Sequence, residues 1–170
     1  MNKNIRKQIS FGLVLLLLVI ALLLTVKIVS KVRAENQELQ KEFVFDVQLY
    51  SSDTLNLREY GDKPFIVYFA DPECEACKHE FSQLGKKIRH VLKQYNLLFI
   101  TETKNEDMPG LLQAINVYPE DGVFVGYDNC SEIYNYYKIA QVPTILILDE
   151  NFIPRKKVNT LSSLLNKYTE

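Results

Sequence analysis

Residues 66–81 read Ile-Val-Tyr-Phe-Ala-Asp-Pro-Glu-Cys74-Glu-Ala-Cys77-Lys-His-Glu-Phe. The stretch runs from a continuous apolar strand directly into a Cys-x-x-Cys pair, and the pair opens an amphipathic helix. Only a thiolate attacks a disulfide, and a helix N-terminus favours negative charge on sulfur. Two intervening residues put both sulfurs on one helical turn, where a small ring can close and open. The same pair elsewhere would say little; at a strand-to-helix junction it points to redox chemistry.

Working outward, the strand Phe65–Ala70 is apolar at nearly every position, as in a central strand covered on both faces. After it, Cys77, Phe81, Leu84, Ile88 and Leu92 recur at three- and four-residue spacing and predict a helix ending near Tyr95. Asp71-Pro72 serves as N-cap and first-turn proline in this reading. Glu75 and Glu80 lie toward the start, and Lys86, Lys87, Arg89 and Lys93 toward the end, matching the helix dipole. On the N-terminal side, Phe43, Phe45 and Val47 alternate with Val44, Asp46 and Gln48 as a half-buried strand. Ser51-Ser52-Asp53 turns the chain, and Thr54–Leu57 returns.

On the C-terminal side, Leu97–Ile100 is a buried strand, Glu106–Asn116 a short helix entered through Pro109, and Val123–Gly126 a weak strand. Ser131–Lys138 is a helix capped by Asp128 or Asn129. Thr144–Leu148 and Phe152–Val158 form a hairpin through Asp149-Glu150-Asn151, and Pro154 assigns its second strand to a sheet edge. Leu161, Leu164, Leu165 and Tyr168 line an amphipathic terminal helix. Alternating strands and helices predict an α/β domain with a mixed central sheet flanked by helices.

The 170 residues suffice for one ordinary globular domain. The first 33 stand outside it. Ser10–Val26 contains no charge, and with Ile28 and Val29 beyond Lys27 the run approaches the ~20 residues of a spanning helix. A cleaved signal peptide would need a shorter apolar region and a small-residue site, which Val32-Arg33-Ala34 approximates poorly. The expected organisation is a basic cytoplasmic N-terminus over 1–9, a transmembrane anchor over 10–30, a polar helical stalk over 31–42 and the globular domain over 43–170. Lys3, Arg6, Lys7 and the α-amino group precede the span, against Lys27, Lys31 and Arg33 after it, which leans toward a cytoplasmic N-terminus.

All six basic residues of the first 33 are unopposed, leaving 14 basic against 21 acidic side chains in the rest. An acidic domain on a basic anchor excludes the basic face that nucleic-acid binding requires. Three cysteines are too few for a disulfide scaffold. A zinc site from Cys74, Cys77, Cys130 and a histidine lacks a second closely spaced ligand pair, so neither metal nor cofactor is expected. Cys130 reads as a small buried side chain. His79 reads as exposed, and His90 as a surface partner of the helix dipole.

The order of strand, Cys-x-x-Cys helix, strand, helix, then Val142-Pro143-Thr144 entering a hairpin and a last helix resembles the thioredoxin fold. More narrowly, it resembles the membrane-anchored, extracytoplasmic thiol-disulfide oxidoreductases of the TlpA/ResA group. The Phe43–Leu57 hairpin, Cys74–Phe81 and Tyr137–Val158 carry the likeness, over about residues 43–168. The positions of the cysteines assign Cys74 as the exposed nucleophile and Cys77, one turn in, as the resolving thiol. Asp71, Glu73 and Glu75 crowd the site with negative charge, which disfavours the Cys74 thiolate and suits a reductant.

The resemblance implies that Glu80 is a proton acceptor beside the pair; a solvated carboxylate that complements the helix dipole is the alternative. It also implies that Pro143 is a cis-proline facing the pair and that Val142 offers backbone hydrogen bonds to an extended substrate. A trans proline at a strand start is the alternative there. The chain departs from the group at two places. Glu73 stands where a tryptophan usually precedes the first cysteine, and Tyr68 where an acidic or amide residue often lies six positions before it. Both bear on substrate choice and redox potential, not on exchange itself. A peroxiredoxin is excluded, since Asp71 occupies the place of its Thr or Ser.

The implied function is a membrane-anchored enzyme that reduces disulfides of extracytoplasmic proteins at the membrane surface, with its domain on the periplasmic side. Its partners would be disulfide-bearing or dithiol proteins. A binding or assembly module with a static Cys74–Cys77 disulfide is the other reading. A cytosol-facing anchored thioredoxin would differ only in topology.

Overall fold

In the computed structural model, the structure describes residues 16–30, 39, 41–60, 63–113 and 122–161. The chain divides into two units, residues 1–38 and 39–170. In the first, residues 16–30 form helix α1. Its large side chains, among them Leu16, Leu18, Leu22 and Ile28, are exposed. Among the described residues no helix is long and apolar enough to cross a membrane. The predicted N-terminus, the first part of the anchor, nearly all of the stalk and the terminal helix beyond Leu161 lie outside the described residues.

The second unit is built on a mixed sheet of seven described strands in the order β2-β1-β5-β4-β3-β6-β7. Strands β1 (Asp46–Leu49) and β2 (Thr54–Asn56) form the N-terminal hairpin, followed by a 3-10 turn, Leu57–Tyr60. Strand β3 (Phe65–Phe69) leads to helix α2 (Glu75–Val91), then β4 (Asn96–Thr101), α3 (Asp107–Gln113) and β5 (Val123–Tyr127). Helix α4 (Glu132–Tyr136) precedes the hairpin of β6 (Thr144–Leu148) and β7 (Pro154–Val158). Strands β3, β4 and β5 are mutually parallel, while β6 and β1 pair antiparallel at either side of them.

Every residue of β3 and β4 is buried. Successive side chains of a strand point to opposite faces, and the core divides accordingly. Ile66, Tyr68, Leu97 and Phe99 pack with Phe81, Leu84 and Ile88 of α2 on one face. Phe65, Val67, Phe69, Leu98 and Ile100 pack with Tyr134 and Tyr137 on the other. Phe43 joins the second layer, its ring stacked on Tyr137 at 5.7 Å. Position by position, the continuous apolar runs of the sequence become two-sided strands.

One local prediction changes. Helix α2 begins at Glu75 with Cys74 as its N-cap, not at Asp71-Pro72. Instead, Asp71 Oδ1 accepts the Glu73 N–H at 2.8 Å and the Asp71 carbonyl accepts the Cys74 N–H at 3.1 Å. These bonds close a turn ahead of the helix. At α4 it is Asp128 that caps. Its carboxylate accepts the N–H groups of Glu132, Ile133 and Tyr134 at 3.1, 2.8 and 3.0 Å. Pro154 lies in β7, at the sheet edge, as its missing donor requires.

At Gly126 the strands β5 and β1 approach closely: a Cβ there would collide with Val47 Cγ1 and lie 2.8 Å from the Gln48 carbonyl oxygen. Because one of these atoms is backbone, the crowding cannot be relieved by a rotamer change. Gly126→Ala should therefore lower stability by about 1–3 kcal/mol in urea denaturation. An unchanged midpoint would show that β1 does not seat on β5 in this way.

Candidate active site

The end of β3 and the start of β6 face each other because the two strands are antiparallel, with Phe69 opposite Thr144. The turn after β3 delivers Cys74, and the loop before β6 delivers Val142 and Pro143. The Val142–Pro143 peptide is cis. Thr144 Oγ1 donates to the Gln141 carbonyl at 2.7 Å and folds this loop back on itself. Cys74 Sγ lies 3.8 Å from the Val142 carbonyl, to which its thiol donates. The same sulfur accepts the Cys77 N–H at 3.4 Å. The first cysteine thus sits between a helix N-terminus and a carbonyl of the facing loop.

The two cysteines, both free thiols here, occupy different surroundings. Cys74 is half-buried, whereas Cys77 is fully buried in the core layer against Tyr68 and Phe81. Burial pushes the Cys77 thiol from an ordinary 9.0 up to about 12. A backbone hydrogen bond from Asp71 opposes that rise, and the neighbouring Cys74 and the Asp71 charge add to it. One thiol is accessible and the other is held protonated behind it.

Of the other residues singled out in the sequence, Pro143 is buried and Val142 half-buried beside the pair. Glu80 is half-buried, and its Oε2 accepts the Leu161 N–H at 2.7 Å. The carboxylate is thus tied to the backbone and is not simply a solvated helix-start charge. His79 is exposed on α2. Cys130 is exposed in the turn between β5 and α4, contrary to the expectation of a buried side chain. It falls there because Asp128, two residues earlier, turns inward to cap α4, and the next two residues face solvent. Among the described residues no cluster of three or more His, Cys, Asp or Glu could hold a metal ion.

Beside Cys74 opens a depression of about 280 Å³, lined by Ala70, Asp71, Glu73, Thr101, Tyr134 and Val142 among others. It lies at the C-terminal ends of the parallel strands β3 and β4. Sequence reasoning missed Tyr134, and it singled out Tyr68 only as a departure from the group's pattern, not for its place under α2. Tyr134 donates from Oη to the Ile100 carbonyl at 3.2 Å on the layer opposite α2. Tyr68 lies under α2, its ring 5.1 Å from that of Phe81. The strand alternation that sends Ile66 under α2 sends Tyr68 there too, and that signal was available.

A family model described as thioredoxin-like matches residues 61–152, more than half of the chain. No curated protein matches significantly. Among solved structures, a thiol:disulfide interchange protein from Bacteroides sp. is 18% identical, with a TM-score of 0.62 over 77% of this chain and 89% of its own. StoA from Bacillus subtilis is 18% identical, with a TM-score of 0.57 over 77% and 99%. A secreted Mycobacterium tuberculosis disulfide oxidoreductase homologous to E. coli DsbE is 17% identical, with a TM-score of 0.56 over 73% and 86%. At these identities the likeness is one of fold.

The buried Cys77 gives stability a defined pH dependence. Below pH 9 its thiol is protonated in folded and unfolded chains alike. Between 9.0 and about 12 the unfolded thiol ionises while the folded one keeps its proton. Unfolding then releases a proton, so stability falls as pH rises. The stability difference between the reduced protein and Cys77→Ala should shrink between pH 8 and 11 in denaturant titrations. A constant difference would mean that the folded thiol titrates normally.

Proposed function

We propose that this chain, which belongs to the thioredoxin-like family, is a membrane-anchored thiol-disulfide oxidoreductase that reduces disulfides of extracytoplasmic proteins. One observation carries this reading: the accessible Cys74 caps a helix, touches the cis-proline loop, and has the buried Cys77 one turn behind it. In the first step the Cys74 thiolate attacks one sulfur of a partner disulfide. The partner S–S bond breaks, one partner sulfur leaves as a thiolate, and a mixed disulfide forms. In the second, Cys77 loses its proton and attacks Cys74 Sγ, expelling the other partner thiolate. The partner gains two electrons and two protons, and Cys74–Cys77 becomes a disulfide. A dithiol protein would return the pair to its reduced state.

The reducing direction rests on the difficulty of ionising Cys77. A dithiol whose thiolate is disfavoured gives up its electrons more readily, because its reduced form lacks the thiolate stabilisation that makes a cysteine pair an oxidant. Asp71 and Glu73, in the wall of the depression, add no positive charge that would reverse this balance. Val142 and Pro143 are assigned to binding an extended partner segment alongside Cys74. Glu80, one turn beyond Cys77, is assigned to proton transfer at the pair, with one oxygen fixed by Leu161.

The anchor is supported by the uncharged run from Ser10 to Val26 and by the exposed aliphatic side chains of α1. A tethered domain meets partners at the membrane surface at raised effective concentration. An alkaline phosphatase fused after Glu170 should be active, as it is only outside the cytoplasm. Activity of a cytosol-only reporter at the same place would overturn the topology.

The wild-type protein should reduce insulin with a dithiol as electron source, and Cys74→Ala should abolish turnover. Cys77→Ala should accumulate partners linked through Cys74, seen as reducible bands on non-reducing gels. If no variant traps a partner and the wild type does not turn over, the pair is a static disulfide in a binding module.

A further inference from the structure

We propose that the Tyr68 hydroxyl is a positioning donor for Cys77, idle in the resting dithiol and engaged when negative charge develops on the Cys77 sulfur. The inference rests on the exchange reading of the pair and adds a group that supports the second step. Tyr68 is 1% exposed. Its Oη is fully enclosed and has no hydrogen-bond partner among the described residues. Buried hydroxyls are nearly always bonded, so one left open calls for an acceptor that the resting dithiol does not offer it. The ring is fixed by packing on Phe81 at 5.1 Å and Phe99 at 5.5 Å, so the hydroxyl cannot swing out to solvent.

What surrounds the hydroxyl identifies that acceptor. Tyr68 shares a core layer with Cys77. Burial raises the Tyr68 hydroxyl well above the ordinary phenol range, and Cys77, Glu80 and Cys74, in that order, raise it further. It therefore keeps its proton throughout the working pH range and acts as a donor, never as a base. Cys74 at the N-cap of α2 and Asp71 in the preceding turn act on Cys77, and Cys77 in turn acts on Tyr68 of β3 and Tyr134 of α4. Glu80 on α2 faces Tyr68. None of these is cationic, so beside the Asp71 backbone N–H the neutral Tyr68 hydroxyl is the side-chain donor available to a thiolate there. An interaction absent in the ground state and made as charge appears lowers the barrier without first stabilising the reactant.

Tyr68→Phe removes the hydroxyl and keeps the ring between Phe81 and Phe99. In a Cys130→Ser background, the reduced protein treated with a chromogenic aromatic disulfide releases one coloured thiolate when Cys74 attacks and a second when Cys77 resolves. The first release should keep its rate and pH profile. The second should slow about tenfold or more, the range for hydrogen bonds to charged groups, with its pH profile displaced upward by about one unit. A purely structural tyrosine would change the melting temperature and leave that profile in place. If wild type gives both releases and the second is unchanged or faster in Tyr68→Phe, the Tyr68 assignment is wrong and the exchange reading stands. If wild type gives no second release, both fall.

Discussion

The site depends on the placement of β3 between a parallel neighbour and an antiparallel one. Parallel pairing with β4 requires a crossover, and α2 supplies it, so the helix must begin where β3 ends. Antiparallel pairing with β6 brings the start of that strand to the same end of the sheet. With Phe69 opposite Thr144, the turn carrying Cys74 and the loop carrying Val142–Pro143 have little freedom to be elsewhere. Slipping β6 by one residue would turn its side chains to the wrong faces and move the loop from the sulfur. Burial of both faces of β3 therefore fixes the reactive geometry indirectly.

Within that frame the two sulfurs are differentiated by depth. Cys74, in an extended conformation at the N-cap, stays half-buried, with a backbone N–H on one side and a carbonyl on the other. One helical turn inward, Cys77 enters the aromatic layer of Tyr68, Phe81 and Phe99. The same helix supplies both environments because it starts at the C-terminal end of the central strand β3 and packs over the core from there. Two residues of spacing convert one chemical group into an attacking thiol and a reserved one.

Much of this was legible in the sequence because it rests on periodicity and on residues with restricted geometry. Phe65–Ala70 and Leu97–Ile100 read as two-sided strands since nothing polar interrupts them, and Pro154 announced an edge. Asp128 was a legible cap. The start of α2 was misplaced because Asp71 and Pro72 also suit an isolated turn, and only the tertiary position of β6 decides between turn and helix. Cys130 was misread because a small apolar side chain carries no signal of direction in a turn. Tyr68 was legible as a strand residue but not as an unpaired hydroxyl, since pairing depends on what the opposite layer offers. Residues 1–15 and 162–170, on which the anchor and last-helix readings partly rest, lie outside the described residues.

The two ends of the sheet have a bearing on how such chains tolerate crowding. Strand β2 is only three residues long, and β7 carries Pro154 followed by Arg155, Lys156 and Lys157. A proline offers no donor to an incoming strand, and a row of like charges repels a second copy of itself. Lys157 is also engaged inward, its Nζ donating to the carbonyls of Tyr137 and Lys138 at 2.8 and 3.1 Å. Neither border offers a long, flat template for strand addition. At both borders, then, the described strands are poorly suited to pairing edge to edge with a second copy.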